Sequence, residues 1–591
     1  MTAAAPDGAL PAKPQGRAAR FRAFVRARET WLVLIAVGVG CGAGALVTLI
    51  SRAAQIAHVL IFGISLDEHL SAATTVTPLA ALGAPIGGGL ILGAMEWWRR
   101  HRNIPAAVDP VEANALRGGR MSLRDSLIVS AQTLISNGCG ASVGLEAGYS
   151  QIGAGLASRL GIALRLRRSD LRILVGCGTA GAIAAAFGAP LTGAFYAFEL
   201  VIGFYSVGTA AAVAGASVAA VLVAKALGGA PYSIQAQAAA PTELKHFIAI
   251  MLLGMLVSGL GILVMRLVAL VDRAFTVSPI PYWLRPAIGG LAVGALALVT
   301  PQVLAAGHGA MLLDFQLDLP MKMLALLIAL KLAATLISLG SGFRGGLFFA
   351  SLFVGSLAGK LFERASALAL PGLGLDAVAC TLAGMGTLAV AIVGGPLTMS
   401  FLVLETTGDF GLTGAVLTAC LAASLFVRET FGYSFSTWRL HLRGETIRSA
   451  HDVGWMRNLT VGRLMRGDPR TIRASASLAE FRHRYPLGSG SVVIALDDQG
   501  RYAGLALTAE AFAPREAGEP RRVADILHVP DVALTVEMNV KDAMGVFDRT
   551  EFETLAVVDA DRQVLGVLTE AYAVRRYAAE LDQASRGVVG G

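Results

Sequence analysis

The sequence predicts an all-α polytopic membrane protein, built as a repeat of broken helices, with a C-terminal α/β tail. Three observations predict it. The 591 residues are 55% hydrophobic and only 15% charged, with a mean hydropathy of +0.63, whereas a soluble domain carries about 25% charged residues. Apolar segments recur to residue 428, several of them too short or too interrupted by glycine and proline for one straight span. After Tyr433 the composition turns charged, with short β-like runs between helical stretches in residues 437–591.

Residues 1–30 are a basic segment, with Arg17, Arg20, Arg22, Arg26 and Arg28 ahead of the first apolar run. That run, 31–50, is long enough to span and lacks a small-residue cleavage site, so it reads as an uncleaved span rather than a signal peptide. The positive-inside rule puts the N-terminus in the cytoplasm. The formal net charge of +8 therefore reflects topology, and nucleic acid is not an expected partner. Further apolar segments cover 76–97, 123–142, 150–161, 171–202, 207–227, 246–270, 283–300, 322–340, 346–362, 376–407 and 411–428. Such pieces suit broken or re-entrant helices whose free ends face protein or a polar cavity, and the 69 glycines fit helices that break or pack closely. Cys41, Cys139, Cys177, Cys380 and Cys420 all lie in apolar stretches without a CxxC. They read as small buried hydrophobes, with neither a disulfide nor a metal site expected.

The membrane part contains a repeat. Gly188-Ala189-Pro190-Leu191-Thr192 precedes Glu199 as Gly394-Gly395-Pro396-Leu397-Thr398 precedes Glu405, nine residues from proline to glutamate in both copies. A fainter echo pairs 143–160 with 344–361 and sets Glu146 opposite Leu347. Corresponding broken segments in two halves point to a midplane transport site. The tail repeats more loosely at a shift of about sixty residues. There 557–562 echoes 496–501, and Leu565-Gly566-Val567-Leu568-Thr569 echoes Gly504-Leu505-Ala506-Leu507-Thr508, with the glycines one residue out of register when the threonines are aligned.

Glu146 is a lone carboxylate in Gly144-Leu145-Glu146-Ala147-Gly148, between Asp125 and Asp170. A charge at membrane depth costs roughly 2.5–3.5 kcal/mol on insertion scales. The glycine-rich break before it suggests a helix start, whose free N–H groups favour anions. Two readings of Glu146 follow: a gate at an anion site, or a carboxylate capping its own helix.

In order, these residues resemble the CLC family of chloride channels and anion–proton exchangers over residues 31–445, and the tail, 446–591, resembles a pair of CBS domains. The strongest stretch runs from Gly384-Met385-Gly386 through Gly395-Pro396-Leu397-Thr398 to Leu402-Val403-Leu404-Glu405-Thr406; Ala189-Pro190-Leu191-Thr192-Gly193 to Glu199 is its first-half copy. The resemblance implies a multi-pass protein of a cell membrane, bacterial inner membrane included, with both termini cytoplasmic. It also implies antiparallel halves, so that the repeat is an inverted one, a voltage-gated type of anion transport, and a homodimer with one pathway per subunit for chloride or another small anion. It implies no cofactor.

The resemblance carries over site residues as well. Glu146 takes the gate position, between Leu145, where the family has a basic residue, and Ala147, with Gly148 in place of its proline. Gly346-Leu347-Phe348-Phe349-Ala350 matches the second anion loop, with backbone N–H groups of Leu347 and Phe348 as donors and Ala350 replacing the proline. Tyr433 is matched to the tyrosine whose hydroxyl faces the anion; an interfacial tyrosine is the other reading. In Ala106-Ala107-Val108-Asp109-Pro110, Ala107 replaces the serine that donates its hydroxyl. A hydrogen bond to a charged group contributes about 1.5–3 kcal/mol, so its loss implies weaker chloride binding or a changed anion preference. Asp109 is expected in solvent or at a helix cap. The internal proton acceptor of the exchangers falls on Leu200, which carries no proton; this favours passive conduction, with exchange by a non-standard proton route as the alternative.

In the tail, an aspartate three residues after the CBS threonine or serine usually binds ribose. Thr508 is followed there by Ala511 and Thr569 by Tyr572, so a structural role is favoured over an adenine-nucleotide sensor. No Ser/His/Asp set, HExxH or P-loop appears and the nine histidines are scattered, which argues against an enzyme. Glu199 and Glu405 are expected to hold helix ends rather than bind ions.

Overall fold

A computed structural model of the chain describes residues 29–229, 243–442 and 459–576, apart from 489, 514–521 and 551. The basic arginines Arg17 to Arg28 and the domain boundary expected at 445/446 lie outside the described residues. The chain forms two compact units, residues 1–452 and 453–590.

Among its described residues the first unit is built of helices. α1 (Glu29–Phe62), α2 (Pro78–His101), α3 (Pro110–Leu116), α4 (Leu123–Gly138) and α5 (Glu146–Ala163) are followed by α6 (Arg168–Phe187), α7 (Pro190–Tyr196) and α8 (Val207–Ala226). Then come α9 (Leu244–Val277), α10 (Arg285–Ala297), α11 (His308–Gln316), α12 (Met321–Ser341), α13 (Phe348–Ala369), α14 (Ala377–Val393), α15 (Pro396–Thr407), α16 (Phe410–Thr430) and α17 (Phe435–Leu442). Among the described residues, seven helices are long and apolar enough to cross a membrane.

Local chemistry sets the breaks. Proline opens α2, α3, α7 and α15 at the first turn, where its missing N–H costs nothing. Thr77, Asp109, Ser122, Ser206, Asp376 and Asp409 accept from free N–H groups at the helix starts that follow them. The apolar run 171–202 divides at Gly188 (φ 66°) and 376–407 divides at Gly394 and Gly395 (φ 93° and 75°), a conformation glycine adopts without penalty. The run at 31–50 belongs to a longer helix, and the short helices α3, α11 and α17 have too little apolar sequence to announce themselves.

The two halves repeat down to single contacts. A Cβ on Gly178 of α6 would lie 2.2 Å from the Gly153 carbonyl oxygen of α5, and one on Gly153 would lie 2.3 Å from that of Gly178. In the second half the same mutual approach joins Gly355 of α13 to Gly384 of α14, at 2.4 and 2.3 Å. The glutamates cross between halves. The Glu199 carboxylate accepts from the N–H groups of Leu397 and Thr398 at 3.0 and 2.8 Å and from the Thr398 hydroxyl at 2.6 Å. Glu405 accepts from the N–H groups of Leu191 and Thr192 at 2.7 and 2.8 Å and from the Thr192 hydroxyl at 2.7 Å. Each glutamate thus caps the other half's proline-led helix, α15 or α7.

The sequence echo needs one correction. It sets Glu146 opposite Leu347, but α5 begins at Glu146 and α13 at Phe348, and Gly144 bridges to Gly346. Glu146 therefore stands opposite Phe348. The one-residue error arises because both loops are glycine-rich and carry little side-chain information.

The second unit holds two small sheets. β1 (Thr471–Arg473), β2 (Val492–Leu496), β3 (Tyr502–Leu507) and β4 (Leu527–His528) lie in that order, and β5 (Leu534–Thr535), β6 (Thr554–Val558) and β7 (Val564–Thr569) form the other. In each, a parallel pair is followed by a hairpin with an irregularity at the same place: Ala495 pairs with Gly504 and Val557 with Gly566. This register makes the glycines equivalent and not the threonines. Thr508 then stands opposite Glu570, and Glu510, whose carboxylate meets His528 Nε2 at 2.8 Å, stands opposite Tyr572.

Three substitutions test the packing. Gly384→Ala or Gly178→Ala should cost about 1–3 kcal/mol through overpacking, seen as a lower unfolding temperature in detergent. Gly38→Ala in α1, where nothing lies within 4 Å of an added Cβ, should be neutral or stabilising by up to about 1 kcal/mol.

Candidate functional site

Two glycine loops meet at the centre of the first unit. The Gly144 N–H donates to the Gly346 carbonyl and the Gly346 N–H donates to that of Gly144, both at 3.0 Å. Side chains repeat the exchange: the Ser142 N–H donates to Ser338 Oγ and the Arg344 N–H to Ser136 Oγ, again both at 3.0 Å. The starts of α5 and α13 are thereby held side by side, with neither N-cap residue, Leu145 or Leu347, supplying a side-chain cap. Uncapped N–H groups and helix dipoles favour negative charge here.

Glu146 is the first residue of α5 and only 5% exposed. Its carboxylate faces the backbone N–H groups of Glu146 itself and of Phe349 in the first turn of α13. Its Oε2 is buried without a hydrogen-bond partner. The loops leave it room: a Cβ on Gly144 would sit 1.9 Å from Oε2, and one on Gly346 would sit 3.1 Å away. Both readings of Glu146 meet in this geometry, because the carboxylate lies against its own helix start and the opposite one together.

A cavity of about 300 Å³ reaches Glu146 and is lined from the starts of four helices. Asp109 and Pro110 come from α3, Glu146 and Ala147 from α5, Leu347 and Phe348 from α13, and Phe435 and Ser436 from α17. Ala107 lines it too. Asp109 caps α3, accepting from the Glu112 N–H at 2.8 Å. A neighbouring cavity of about 470 Å³ is lined by Arg100, Arg285, Arg344 and Arg439 with Glu96 and Asp272. The two share Gln132, Arg344, Gly345, Phe435 and Arg439. An excess of arginine over acid at such a mouth raises the local concentration of anions.

Leu145 and Tyr433, expected at the anion site, do not line this cavity, and neither does Leu200, the apolar position matched to an internal proton acceptor. Leu145 packs with Ala43, Val47, Ala54, Tyr149 and Ala182. Leu200 lies in a π-helical turn, Ala197–Ile202, and packs beside Ala113, Met121, Val175 and Val201. Tyr433 does not line the cavity: its hydroxyl meets His441 Nδ1 at 3.2 Å and its ring stacks on His441. The aromatic residue of that segment on the cavity is Phe435, which opens α17. Glycine and serine around Tyr433 hide where this last helix starts. Sequence reasoning also passed over Tyr196 and Arg344, both lining residues; each lay beside a quoted motif, and only the fold turns them inward. Among the described residues no group of His, Cys, Asp and Glu is arranged to hold a metal ion, and the five cysteines are free thiols.

Comparison with known proteins shows the family and the fold. The family described as "Voltage gated chloride channel" matches residues 87–428, and the CBS domain matches 523–579. A "Putative chloride channel protein ClcB-like" of Ralstonia nicotianae is 31% identical over 414 residues, 68% of this chain and 94% of that protein. The "Voltage-gated ClC-type chloride channel ClcB" of Citrobacter koseri is 30% identical over 365 residues, 61% of this chain and 87% of that one. A slow cyanobacterial Cl⁻/H⁺ antiporter of known structure superposes with a TM-score of 0.61 at 22% identity, covering 70% of this chain and 97% of its own. A CLC-type fluoride/proton antiporter gives 0.56 at 22% identity over 68% and 96%. At that identity the two structures speak to the fold alone.

Because the Tyr433 hydroxyl is engaged by His441 outside the cavity, Tyr433→Phe should cost at most about 1 kcal/mol of stability. Chloride binding measured by calorimetry should be unchanged.

Proposed function

This chain belongs to the voltage gated chloride channel family, and from that premise we propose that it passes chloride or a similar monovalent anion passively across the membrane, with Glu146 as the gate. The observation that carries this reading is the Glu146 carboxylate at the paired starts of α5 and α13, facing the Phe349 N–H. A carboxylate there takes the place of an anion and closes the path. Protonated, it loses its attraction to the helix ends and swings clear. Backbone donors of Leu347 and Phe348, with Ala147 and Ala107 alongside, then surround the ion.

Passive conduction is favoured by Leu200. It packs among apolar side chains and offers no proton acceptor where an exchanger has one. We place the arginine-lined mouth on the cytoplasmic side, since α2 ends in Arg99 and Arg100 and basic residues collect there. Both termini are then cytoplasmic, two copies assemble with one pathway each, and the tail has a structural role. Saturable binding of ATP or AMP would instead make the tail a nucleotide sensor; Glu510 is the acid nearest the required place.

Flux from liposomes, with external pH recorded, tests the reading. Chloride efflux should proceed without proton movement, and Glu146→Gln should lose most of the pH dependence of flux. A mutant with the parent's pH profile sinks the gate. Uphill proton movement driven by a chloride gradient means exchange instead.

A further inference from the structure

The anion path of this chain lacks both side-chain hydroxyls that the sequence comparison led one to expect. Ala107 stands where a serine would donate, and Phe435, not Tyr433, faces the cavity from α17. An anion there would have backbone N–H groups but no hydroxyl from either position.

Tyr196 supplies one from a different helix. It is the last residue of α7, followed directly by the π-helical turn Ala197–Ile202. A π turn inserts a residue and redirects the side chains around it, and such turns gather at functional sites. Tyr196 lines the 300 Å³ cavity with Glu146, Ala107 and Phe348, and its ring centroid lies 6.1 Å from that of Phe348. It is close enough to feel the charges of both Glu146 and Asp109. The phenol therefore shares the cavity with the Glu146 carboxylate.

Tyr196 is half-buried and lines the cavity, so its hydroxyl is open to a partner inside it. The neighbouring tyrosines differ: Tyr149 meets Ser51 at 2.5 Å and Tyr433 meets His441. A phenol is a good donor, and an anion is the partner that a cavity ringed by helix starts would bring to it.

We propose that Tyr196 is the side-chain ligand of the transported anion, its hydroxyl donating to chloride in place of the absent serine and tyrosine. This rests on the anion-transport reading above and adds to it the residue that sets affinity. Glu146 decides whether the site is open, and Tyr196 decides how tightly it holds.

The test is Tyr196→Phe in the full-length protein, which keeps the ring and its packing against Phe348. Chloride binding is measured by calorimetry in detergent and chloride flux in liposomes. A hydrogen bond to a charged partner is worth about tenfold or more in affinity, so the Kd should rise by about that factor. The pH profile of flux should stay that of the parent protein, as a merely structural residue need not leave it. Adding Ala107→Ser to Tyr196→Phe should recover part of the affinity by restoring a hydroxyl to the same cavity. A folded Tyr196→Phe protein that binds chloride as tightly as its parent overturns the assignment and leaves the transport reading standing. A parent protein that neither binds nor passes chloride overturns both.

Discussion

Two peptide hydrogen bonds between Gly144 and Gly346 hold together what the rest of the first unit depends on. They join two loops from opposite halves of the chain, and through them the starts of α5 and α13 come to lie side by side. Without that bridge each loop would expose uncapped N–H groups in an apolar surrounding, at a cost of several kcal/mol per group. Joined, the loops satisfy each other at the bridge and leave the next N–H groups free for a negative charge. The neighbouring exchange of Ser136 and Ser338 with Arg344 and Ser142, both at 3.0 Å, fixes the same axis at the side-chain level.

The same logic recurs at the outer ends of the repeat. Glu199 and Glu405 are charges in apolar sequence, and each is stabilised by two backbone N–H groups and a hydroxyl from the other half. They are helix caps acting across the duplication. Glu146 differs in one respect: its Oε2 is buried without a partner. A carboxylate that is fully satisfied stays where it is, while one with an unmatched oxygen has less to lose by leaving. That difference separates the two glutamates that cap helices across the repeat from Glu146, the proposed gate.

The proposed pathway keeps its helix starts while its side chains differ from the family's. Helix starts supply the field that favours an anion, and this backbone property survives the loss of a basic residue at Leu145 and of prolines at Gly148 and Ala350. The side-chain ligands are less constrained. Ala107, ahead of α3, brings no hydroxyl and that of Tyr433, ahead of α17, meets His441, while Tyr196 of α7 lines the cavity beside a π turn. Arg344, from the second loop, brings a positive charge to both cavities where the first loop has none. The arginines around the larger cavity extend the same sign outward.

Much of this was legible in the residues. Composition, apolar lengths and the proline-to-glutamate spacing are local properties, and they determined a duplicated set of broken helices with a charged tail, the positions of Glu199 and Glu405, and Glu146 as the exceptional charge. Asp109 at a helix cap follows from the same local chemistry. Contacts between distant segments were decided only by the tertiary structure. The repeat register moved by one residue because glycine loops carry no side chains to align, and the tail threonines proved inequivalent because strand pairing, not the letters, sets the register. Tyr433 turned to His441 while Phe435 and Tyr196 turned to the cavity, since the direction of a side chain depends on where a helix begins and how it is wound. The sequence by itself determined that two duplicated halves of broken helices carry one exceptional charge, Glu146, at a helix start. Which side chains reach that site was decided by the packing of those halves against each other.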